Sequence, residues 1–225
     1  MEKMNLNRHD MVFLTNMGNR ALQYQLPLIY NGIKLEMMKT FFLEVIDVPC
    51  IVRRGRVKNN RIPVGIVHPK RIAENRLRAA MDISRDEIRV VVRPYEVIRN
   101  LKLPRNTRNK CMEAILNIYH MAKAMDVQIG AFGSVALEIM TGLPYTDQNS
   151  DLDILIKPTG REKLQFFFQK ACEMYPKVQM DFEMELPNGY GVKLNEVFMD
   201  TTTLLGKSCE NVSLLKREDV VKFLK

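Results

Sequence analysis

The chain has 225 residues, of which 46% are hydrophobic and 27% are charged, the proportions of an ordinary globular protein. Its net charge of +8 favours a polyanionic partner, whether a nucleic acid, a phosphorylated cofactor or an acidic protein, and charge alone does not choose between them. It has three histidines, and four cysteines without a Cys-x-x-Cys pair, so we expect neither a zinc site nor a Ser-His-Asp triad.

The sequence also bears on where the protein acts. It contains no apolar run of about 18 residues, so we expect no membrane-spanning helix. Its N-terminus lacks the apolar core of a signal peptide, which predicts a cytoplasmic protein. It has no Trp and no pattern of alternating aromatic and basic residues, so nucleic acid is not the expected partner.

The first hundred residues are predicted to form one α+β unit. Apolar spacing and turn signals define its elements. They are a helix (33–46), a strand (50–54), a second strand (61–67), a basic helix (69–78), a buried strand (88–92) and a short helix from Pro94.

Arg53 and Arg54 end the predicted strand 50–54. They belong either to a solvated basic surface or to a groove that binds phosphates, because the planar guanidinium group binds phosphate bidentately. Residues 101–109 are polar, basic and broken by Pro104, which indicates a linker. We therefore predict two domains, residues 1–103 and 104–225.

The C-terminal half is also predicted to mix helices and strands. Asn106 or Thr107 is the expected cap of its first helix. The predicted elements are a helix (to about 125), a short strand ending in Gly133-Ser134, a helix (135–140), a strand from Asp151, a helix (161–175), a strand (178–186), a hairpin partner (191–198) and a terminal helix (217–225).

Asp151 and Asp153 open an apolar strand, two positions apart. Side chains alternate across a strand, so we expect both carboxylates on one face and Leu152 and Ile154 in the core. Two carboxylates this close repel each other, and a divalent cation with a preference for oxygen ligands, such as Mg²⁺, relieves the repulsion. The alternative is a solvated pair at a strand edge, but the flanking apolar residues favour a metal site.

Residues 178–186 alternate between apolar and polar side chains, which predicts a half-buried strand with a carboxylate face. One of its carboxylates could join Asp151 and Asp153 as a third metal ligand. We favour Asp181, with Glu183 as the second choice. The alternative is an acidic face turned to solvent.

Gly133 and Ser134 lie between an apolar strand and a predicted helix. Backbone N–H groups at such a turn and at a helix N-terminus form a phosphate site. A phosphate site beside a carboxylate pair is the arrangement used in metal-assisted phosphoryl or nucleotidyl transfer.

This order of motifs resembles the nucleotidyltransferase superfamily typified by DNA polymerase beta. Within it, the chain is more similar to malonate decarboxylase holo-acyl-carrier-protein synthase, also called phosphoribosyl-dephospho-CoA transferase. Two positions differ from that family. Phe182 stands where the family usually has Gly, and residues 135–138 contain no Trp, although the family usually has one there. The similarity covers nearly the whole chain and rests on residues 8–12, 49–54, 133–134, 140–145, 150–153, 180–183 and 187–189.

The resemblance implies two α+β domains, the C-terminal one a polymerase-beta-like nucleotidyltransferase fold with a mixed sheet. It implies transfer of 2'-(5''-phosphoribosyl)-3'-dephospho-CoA from its triphosphate precursor to a serine of the malonate decarboxylase acyl-carrier protein, with release of diphosphate. Asp151, Asp153 and Asp181 are the implied catalytic residues and Mg²⁺ ligands.

The resemblance also assigns substrate-binding residues. Gly133 and Ser134 would hold the diphosphate, and Lys157, Arg53 and Arg54 are further candidates for neutralising phosphate charge. A basic surface would steer an acidic carrier protein towards the enzyme.

Two other functions remain open. Another nucleotidyltransferase, acting on a small molecule, RNA or protein, would use ordinary nucleoside triphosphates. A non-catalytic nucleic-acid-binding or antitoxin-like module would show salt-sensitive binding and would not depend on Asp151 or Asp153.

Overall fold

The computed structural model describes residues 6–44, 47–72, 75–101 and 108–224. Internal contacts divide the chain into two compact units: unit 1 comprises residues 1–93 and 143–145, and unit 2 comprises residues 94–142 and 146–225. Both units combine helices with strands, so the predicted α+β class is confirmed. The predicted boundary at 103/104, Pro104 and the predicted caps Asn106 and Thr107 lie outside the described residues.

Unit 1 contains an antiparallel sheet that packs against helix α1. Its elements are β1 (Met11–Leu14), α1 (Asn16–Ile29), α2 (Gly32–Glu44), β2 (Cys50–Val52), β3 (Arg61–Ile72), β4 (Asn75–Ser84), a 3₁₀ turn (Arg85–Glu87) and β5 (Ile88–Val92). Within the described residues, the strand order is β4-β3-β2-β1-β5, and all neighbouring strands are antiparallel.

Residues 69–72 end β3 and residues 75–78 begin β4, so the helix predicted over residues 69–78 is wrong. The buried side chains of β4 recur at every second residue, which is the period of a strand. They are Leu77, Ala79, Met81 and Ile83. Proline favours a helix start in the sequence, but Pro69 lies where the register of β3 shifts, a position in a strand that tolerates proline.

Helix α1 has no counterpart among the sequence predictions, because Pro27 within it is a helix breaker. The side chain of Thr15 accepts a hydrogen bond from the Gly18 N–H (3.1 Å) and caps the helix. Leu22 and Leu26, one turn apart, are fully buried and hold the helix on the unit. The helix predicted over residues 33–46 is confirmed as α2, and residues 45 and 46 lie outside the described chain.

Unit 2 contains a mixed sheet. Its elements are α3 (Pro94–Val97), a 3₁₀ turn (Ile98–Asn100), α4 (Lys110–Ala124), β6 (Ile129–Ala131), α5 (Gly133–Thr141), β7 (Leu152–Ile156), α6 (Arg161–Met174), β8 (Met180–Glu185), β9 (Gly191–Lys193), α7 (Leu194–Phe198), β10 (Thr203–Lys207), β11 (Val212–Lys216) and α8 (Arg217–Val221). Among the described residues, the strand order is β11-β10-β9-β8-β7-β6. Strands β7 and β8 are parallel and are joined by α6, whereas the other neighbours are antiparallel, so the predicted mixed sheet is confirmed.

Two C-terminal features differ from the sequence predictions. The strand predicted over residues 191–198 ends at Lys193, and α7 begins at the next residue. Leu194 and Val197 are both buried, and their spacing of three residues places them on one face of a helix. The hairpin of β10 and β11 was not predicted.

The core of unit 2 lies against β7. Leu152, Ile154 and Ile156 are fully buried on one face of this strand, as the alternation predicted for Leu152 and Ile154. Helices α4 and α5 pack against the strand. The rigid strand therefore fixes the position of the residues on its other face. In the described parts of the chain, no helix is both long enough and apolar enough to cross a membrane.

Candidate active site

The register of β7 and β8 brings two of the predicted carboxylates together. Asp153 pairs with Asp181 across the parallel strands. Paired residues on neighbouring strands share a face, and the strands lie about 4.8 Å apart. Asp151 lies two residues before Asp153, immediately before β7 begins. The structure therefore gathers Asp151, Asp153 and Asp181 at one end of these two strands.

A small pocket opens at this end of the sheet. It has a volume of about 130 Å³, and its lining includes Asp151, Asp181, Lys193 and Asn195. The ammonium group of Lys193 lies 3.4 Å from Oδ2 of Asp181, and both side chains are partly exposed. Lys193 was not singled out from the sequence, because its position depends on the pairing of β9 with β8.

Gly133 lies directly against Asp153. It has a positive φ of 65°, and a Cβ atom at this position would fall well inside van der Waals contact with Asp153 Oδ2. The main-chain N–H of Phe132 donates to the main-chain carbonyl of Asp153 (3.3 Å), which fastens the turn to β7. Helix α5 begins at Gly133 with no side-chain cap. The predicted phosphate turn and the predicted metal carboxylates are thus adjacent.

Glu183 is placed differently from Asp181. Only 9% of the residue is exposed, and its carboxylate packs against the backbone of Gly191, where a Cβ atom would overlap Oε1. Asp181 lines the pocket beside Asp151. The geometry therefore favours Asp181 over Glu183 as the third carboxylate.

Lys157 lies at the opposite end of β7 from Asp151, about 20 Å away along an extended strand. Its ammonium group is 2.5 Å from Glu185 Oε2 and 4.8 Å from the centre of the Tyr95 ring. The Tyr95 hydroxyl donates to the same Glu185 oxygen (2.8 Å), and burial followed by the Glu185 charge raises the pKa of Tyr95. The charge of Lys157 is therefore already balanced, and the structure does not bring it to the carboxylates.

An ion pair between the exposed Arg108 and the largely buried Glu138 carboxylate fixes the loop that leads to Asp151. Glu138 on α5 accepts hydrogen bonds from Arg108 Nε (3.1 Å) and Nη2 (2.9 Å), and from the N–H and the hydroxyl of Thr146 (2.6 Å each). Burial raises the pKa of Glu138, but these hydrogen bonds outweigh it and the net pKa is lowered. Asn109 Nδ2 also donates to the Thr146 hydroxyl (2.8 Å). No sequence signal points to this network, because its members lie far apart in the chain.

Cys111 is buried against the main chain of Asp151. Its thiol donates to the main-chain carbonyl of Asp151 (3.6 Å). Burial, and then the nearby carboxylates with Asp153 foremost, raises the pKa of this thiol to about 12. A protonated, buried thiol is a weak nucleophile, so Cys111 is a packing residue.

Arg53 and Arg54 belong to unit 1. The predicted strand ends at Val52, and both arginines follow it with exposed side chains. Neither forms an ion pair with another residue that the structure describes. Both therefore present positive charge to solvent.

The carboxylates have the chemistry that Mg²⁺ requires, because their ligand atoms are hard, charged oxygens. Among the described residues, no three His, Cys, Asp or Glu side chains form a ready-made metal cluster. Mg²⁺ commonly takes one or two protein carboxylates and completes its coordination with water and substrate phosphate. Asp151 and Asp153 beside the turn at Gly133 fit a site of this kind.

Comparison with known proteins identifies the family. A family model described as the phosphoribosyl-dephospho-CoA transferase MdcG C-terminal domain matches residues 100–218, and the N-terminal domain of the same transferase matches residues 7–94. The chain belongs to the phosphoribosyl-dephospho-CoA transferase MdcG family. The resemblance found in the sequence is therefore confirmed, and the carboxylates fall in the part that matches the MdcG C-terminal domain.

Curated relatives of the MdcG family agree with this assignment. A phosphoribosyl-dephospho-CoA transferase from Bradyrhizobium diazoefficiens is 27% identical over 218 residues, which cover 95% of this chain and 92% of that protein. One from Xanthomonas campestris pv. campestris is 33% identical over 99 residues, 43% of this chain and 46% of that protein. No solved structure matches the chain.

Proposed function

We propose that this protein transfers 2'-(5''-phosphoribosyl)-3'-dephospho-CoA from its triphosphate precursor to a serine of the malonate decarboxylase acyl-carrier protein. Family membership over both units supports this function. The observation that carries it is the pairing of Asp153 with Asp181 directly beside Gly133, because it combines a carboxylate site with a phosphate-binding turn. We assign the C-terminal unit to the polymerase-beta-like nucleotidyltransferase fold on the same grounds.

The reaction forms one phosphodiester bond and breaks one phosphoanhydride bond. The serine oxygen attacks the phosphorus nearest the ribose, and diphosphate leaves. We assign to Asp181 the removal of the proton from the serine hydroxyl, and the partial exposure of its carboxylate in the pocket supports this role. The N–H groups of the turn at Gly133 and Ser134 would hold the leaving diphosphate.

The donor carries several negative charges that the site must balance. Asp151 and Asp153 would hold Mg²⁺, which when bound supplies positive charge to the donor phosphates. The ammonium group of Lys193 lies 3.4 Å from Asp181 Oδ2 and would add charge at the reacting phosphate. Lys157 pairs with Glu185 at the far end of β7, whereas Lys193 lines the pocket of Asp151 and Asp181, so we place Lys157 behind Lys193 as a phosphate ligand.

The function is tested by the intact mass of an apo-carrier protein after incubation with the full chain, Mg²⁺ and the triphosphate donor. Parallel reactions omit the donor, replace it with ATP, or use Asp151→Asn or Asp153→Asn. Asp126→Asn is the matched control, because Asp126 is exposed and its φ of 51° suits asparagine.

The proposal predicts a mass gain equal to the prosthetic group with wild type and Asp126→Asn. Loss of a group that stabilises developing charge commonly costs about 10²–10³ in rate, so both site variants should be slowed by at least this factor. Labelling from ATP instead would indicate another nucleotidyltransferase. No transfer from either donor would indicate a binding module.

A further inference from the structure

The small pocket beside Asp151 and Asp181 has lining residues to which the proposed function gives no role. Its volume is about 130 Å³, below the range of about 300–1,000 Å³ that whole small ligands occupy, so it holds only one part of the donor. The residues without a role so far are Phe168, Gln179 and Asn195. The whole lining of this pocket lies within unit 2.

Gln179 and Asn195 bring two uncharged amides to a pocket whose other polar side chains are charged. Gln179 lies two residues before Asp181, and its main-chain carbonyl accepts from the Leu152 N–H (2.8 Å), so the extended chain directs both side chains to one face. Asn195 lies on α7, two residues after Lys193. Both side chains are exposed, and neither amide forms a hydrogen bond with another residue that the structure describes. Each amide can therefore donate to a ligand and accept from it.

Phe168 gives the pocket an aromatic wall. Its half-buried ring lies 5.4 Å from that of Phe182 and 6.1 Å from that of Phe198, measured between ring centres, and these contacts fix its position. An apolar ring offers no hydrogen bond to a phosphate group, whereas it suits the C–H face of a sugar. Sites for small molecules combine apolar walls with a few amides or hydroxyls that orient the ligand. The wall and the two amides therefore match a group that is partly apolar and carries neutral hydroxyls.

The donor has such a group next to its reacting phosphorus. In the proposed reaction this phosphorus stays bonded to the 5''-oxygen of a ribose, and the sugar has free hydroxyls at C2'' and C3''. A hydroxyl both donates and accepts hydrogen bonds, as an amide does. Asp151, Asp181 and Lys193 serve the metal ion, the serine proton and the phosphates, so the amides are the polar side chains of the pocket that suit the sugar.

We propose that the pocket beside Asp181 is the ribose subsite for the donor, with Gln179 and Asn195 bound to the ribosyl hydroxyls and Phe168 packed against the sugar ring. This inference rests on the proposed function, because the donor named there carries the ribosyl triphosphate. The subsite would hold the reacting phosphorus in place and select donors that carry both hydroxyls.

The test uses three ligands that differ in the sugar, each with Mg²⁺ and the full chain. Methyl riboside 5-triphosphate reproduces the ribosyl triphosphate of the donor, its 2,3-dideoxy analogue lacks both free hydroxyls, and inorganic triphosphate lacks the sugar. Calorimetry gives the dissociation constant of each ligand. The variants are Gln179→Ala and Asn195→Ala. Asn211→Ala is the control, because Asn211 is an exposed asparagine of unit 2 that does not line the pocket.

We expect each pocket variant to weaken binding of the riboside by roughly three- to tenfold, because it loses one hydrogen bond between neutral groups. Binding of the dideoxy analogue and of inorganic triphosphate should be unchanged, and Asn211→Ala should bind all three ligands as wild type does. The wild-type protein should bind the riboside at least about tenfold more tightly than the dideoxy analogue, since both hydroxyls are lost together. This last comparison does not depend on how the variants fold.

The outcomes separate this inference from the proposed function. Equal binding of the riboside and its dideoxy analogue by wild type, with normal transfer to the carrier, would overturn the subsite alone. A variant that weakens the riboside and inorganic triphosphate alike would make the amides phosphate ligands and also overturn it. Binding that depends on the hydroxyls and on both amides, without transfer to the carrier, would support the subsite while overturning the proposed reaction.

Discussion

Asp153 and Asp181 are register partners on the parallel strands β7 and β8. Because α6 connects these strands as a crossover, the two carboxylates meet on one face although a whole helix separates them in the chain. The opposite face of β7 is buried in the core through Leu152 and Ile154. The position of the site therefore depends on the packing of the core.

Asp181→Asn and Glu183→Gln should distinguish the roles of the two carboxylates on β8. Asp181→Asn removes the proposed base, so we expect kcat to fall by about 10²–10³ with an unchanged unfolding free energy. Glu183→Gln changes a buried group packed on Gly191. It should cost about 1–3 kcal/mol of stability and leave kcat within a few-fold. Carrier-modification kinetics and urea unfolding measure both effects, and the reverse pattern would assign the base to Glu183.

Gly133→Ala should damage the site more than Gly142→Ala. Both glycines have positive φ, 65° and 70°, so each substitution carries a backbone cost of about 1–2 kcal/mol. A Cβ atom at Gly142 meets nothing within 4 Å, whereas one at Gly133 overlaps the Asp153 carboxylate. We expect both variants to lose similar backbone stability, but only Gly133→Ala to lose most transfer activity. Equal transfer activities of the two variants would mean that a displaced Asp153 carboxylate does not impair transfer.

Local pattern was enough to predict the strand of Asp153. Alternation assigned Leu152 and Ile154 to the core, and their full burial confirms it. The same reasoning failed for residues 69–78, where Pro69 and the basic side chains outweighed the period of two in Leu77, Ala79 and Met81. A local signal succeeds when one period dominates the segment and fails when a proline inside a bulge imitates a helix start.

Partners that lie far apart in the chain could not be predicted from single positions. Lys193 meets Asp181 only because β9 pairs with β8, and Glu138 meets Thr146 only because the loop folds back on α5. Lys157 was predicted to neutralise phosphate, but the sequence could not show that it pairs with Glu185. Charge composition indicates how many cations a chain has, whereas strand register decides which of them remain available.

Lys193→Met and Lys157→Met test which of the two lysines binds the phosphates of the donor. Lys193 lies beside Asp181 in the pocket, so its loss should lower kcat/KM for the triphosphate donor by about 10–100-fold. Lys157→Met should leave this parameter within a few-fold, because that charge is matched by Glu185. Steady-state kinetics with varied donor concentration distinguish the two. A larger effect of Lys157→Met would instead support its predicted role.

Reversing the charges of Arg53 and Arg54 should slow capture of the acidic carrier. Both side chains are exposed without an ion pair among the described residues, so they contribute to long-range attraction. We expect Arg53→Glu with Arg54→Glu to lower kcat/KM for the carrier by about tenfold at low salt, with less effect at high salt. Lys177→Glu with Lys216→Glu changes net charge equally on exposed positions of unit 2 and serves as control. Equal losses in both double variants would point to net charge alone.

Glu138→Gln should change how stability depends on pH. The hydrogen bonds from Arg108 and Thr146 lower the pKa of Glu138 in the folded protein, below its ordinary value of 4.5. A lowered folded pKa stabilises the protein above pH 4.5, and this contribution is lost as the pH falls through the folded pKa. The unfolding free energy of the wild-type protein should therefore exceed that of Glu138→Gln by about 1–3 kcal/mol at pH 7. This difference should shrink towards pH 3.

Urea unfolding of both proteins between pH 7 and pH 3 measures this difference, and Glu210→Gln, at an exposed position, should follow wild type throughout. The same network holds the loop before Asp151, so the Glu138→Gln variant should also lose transfer activity at pH 7. Because Glu138 itself touches no substrate in this proposal, Arg108→Lys, which keeps the charge but not the paired hydrogen bonds, should lower activity in the same direction and by a smaller factor. A stability difference that stays constant across the pH range would show that the Glu138 carboxylate is not the group that holds the loop.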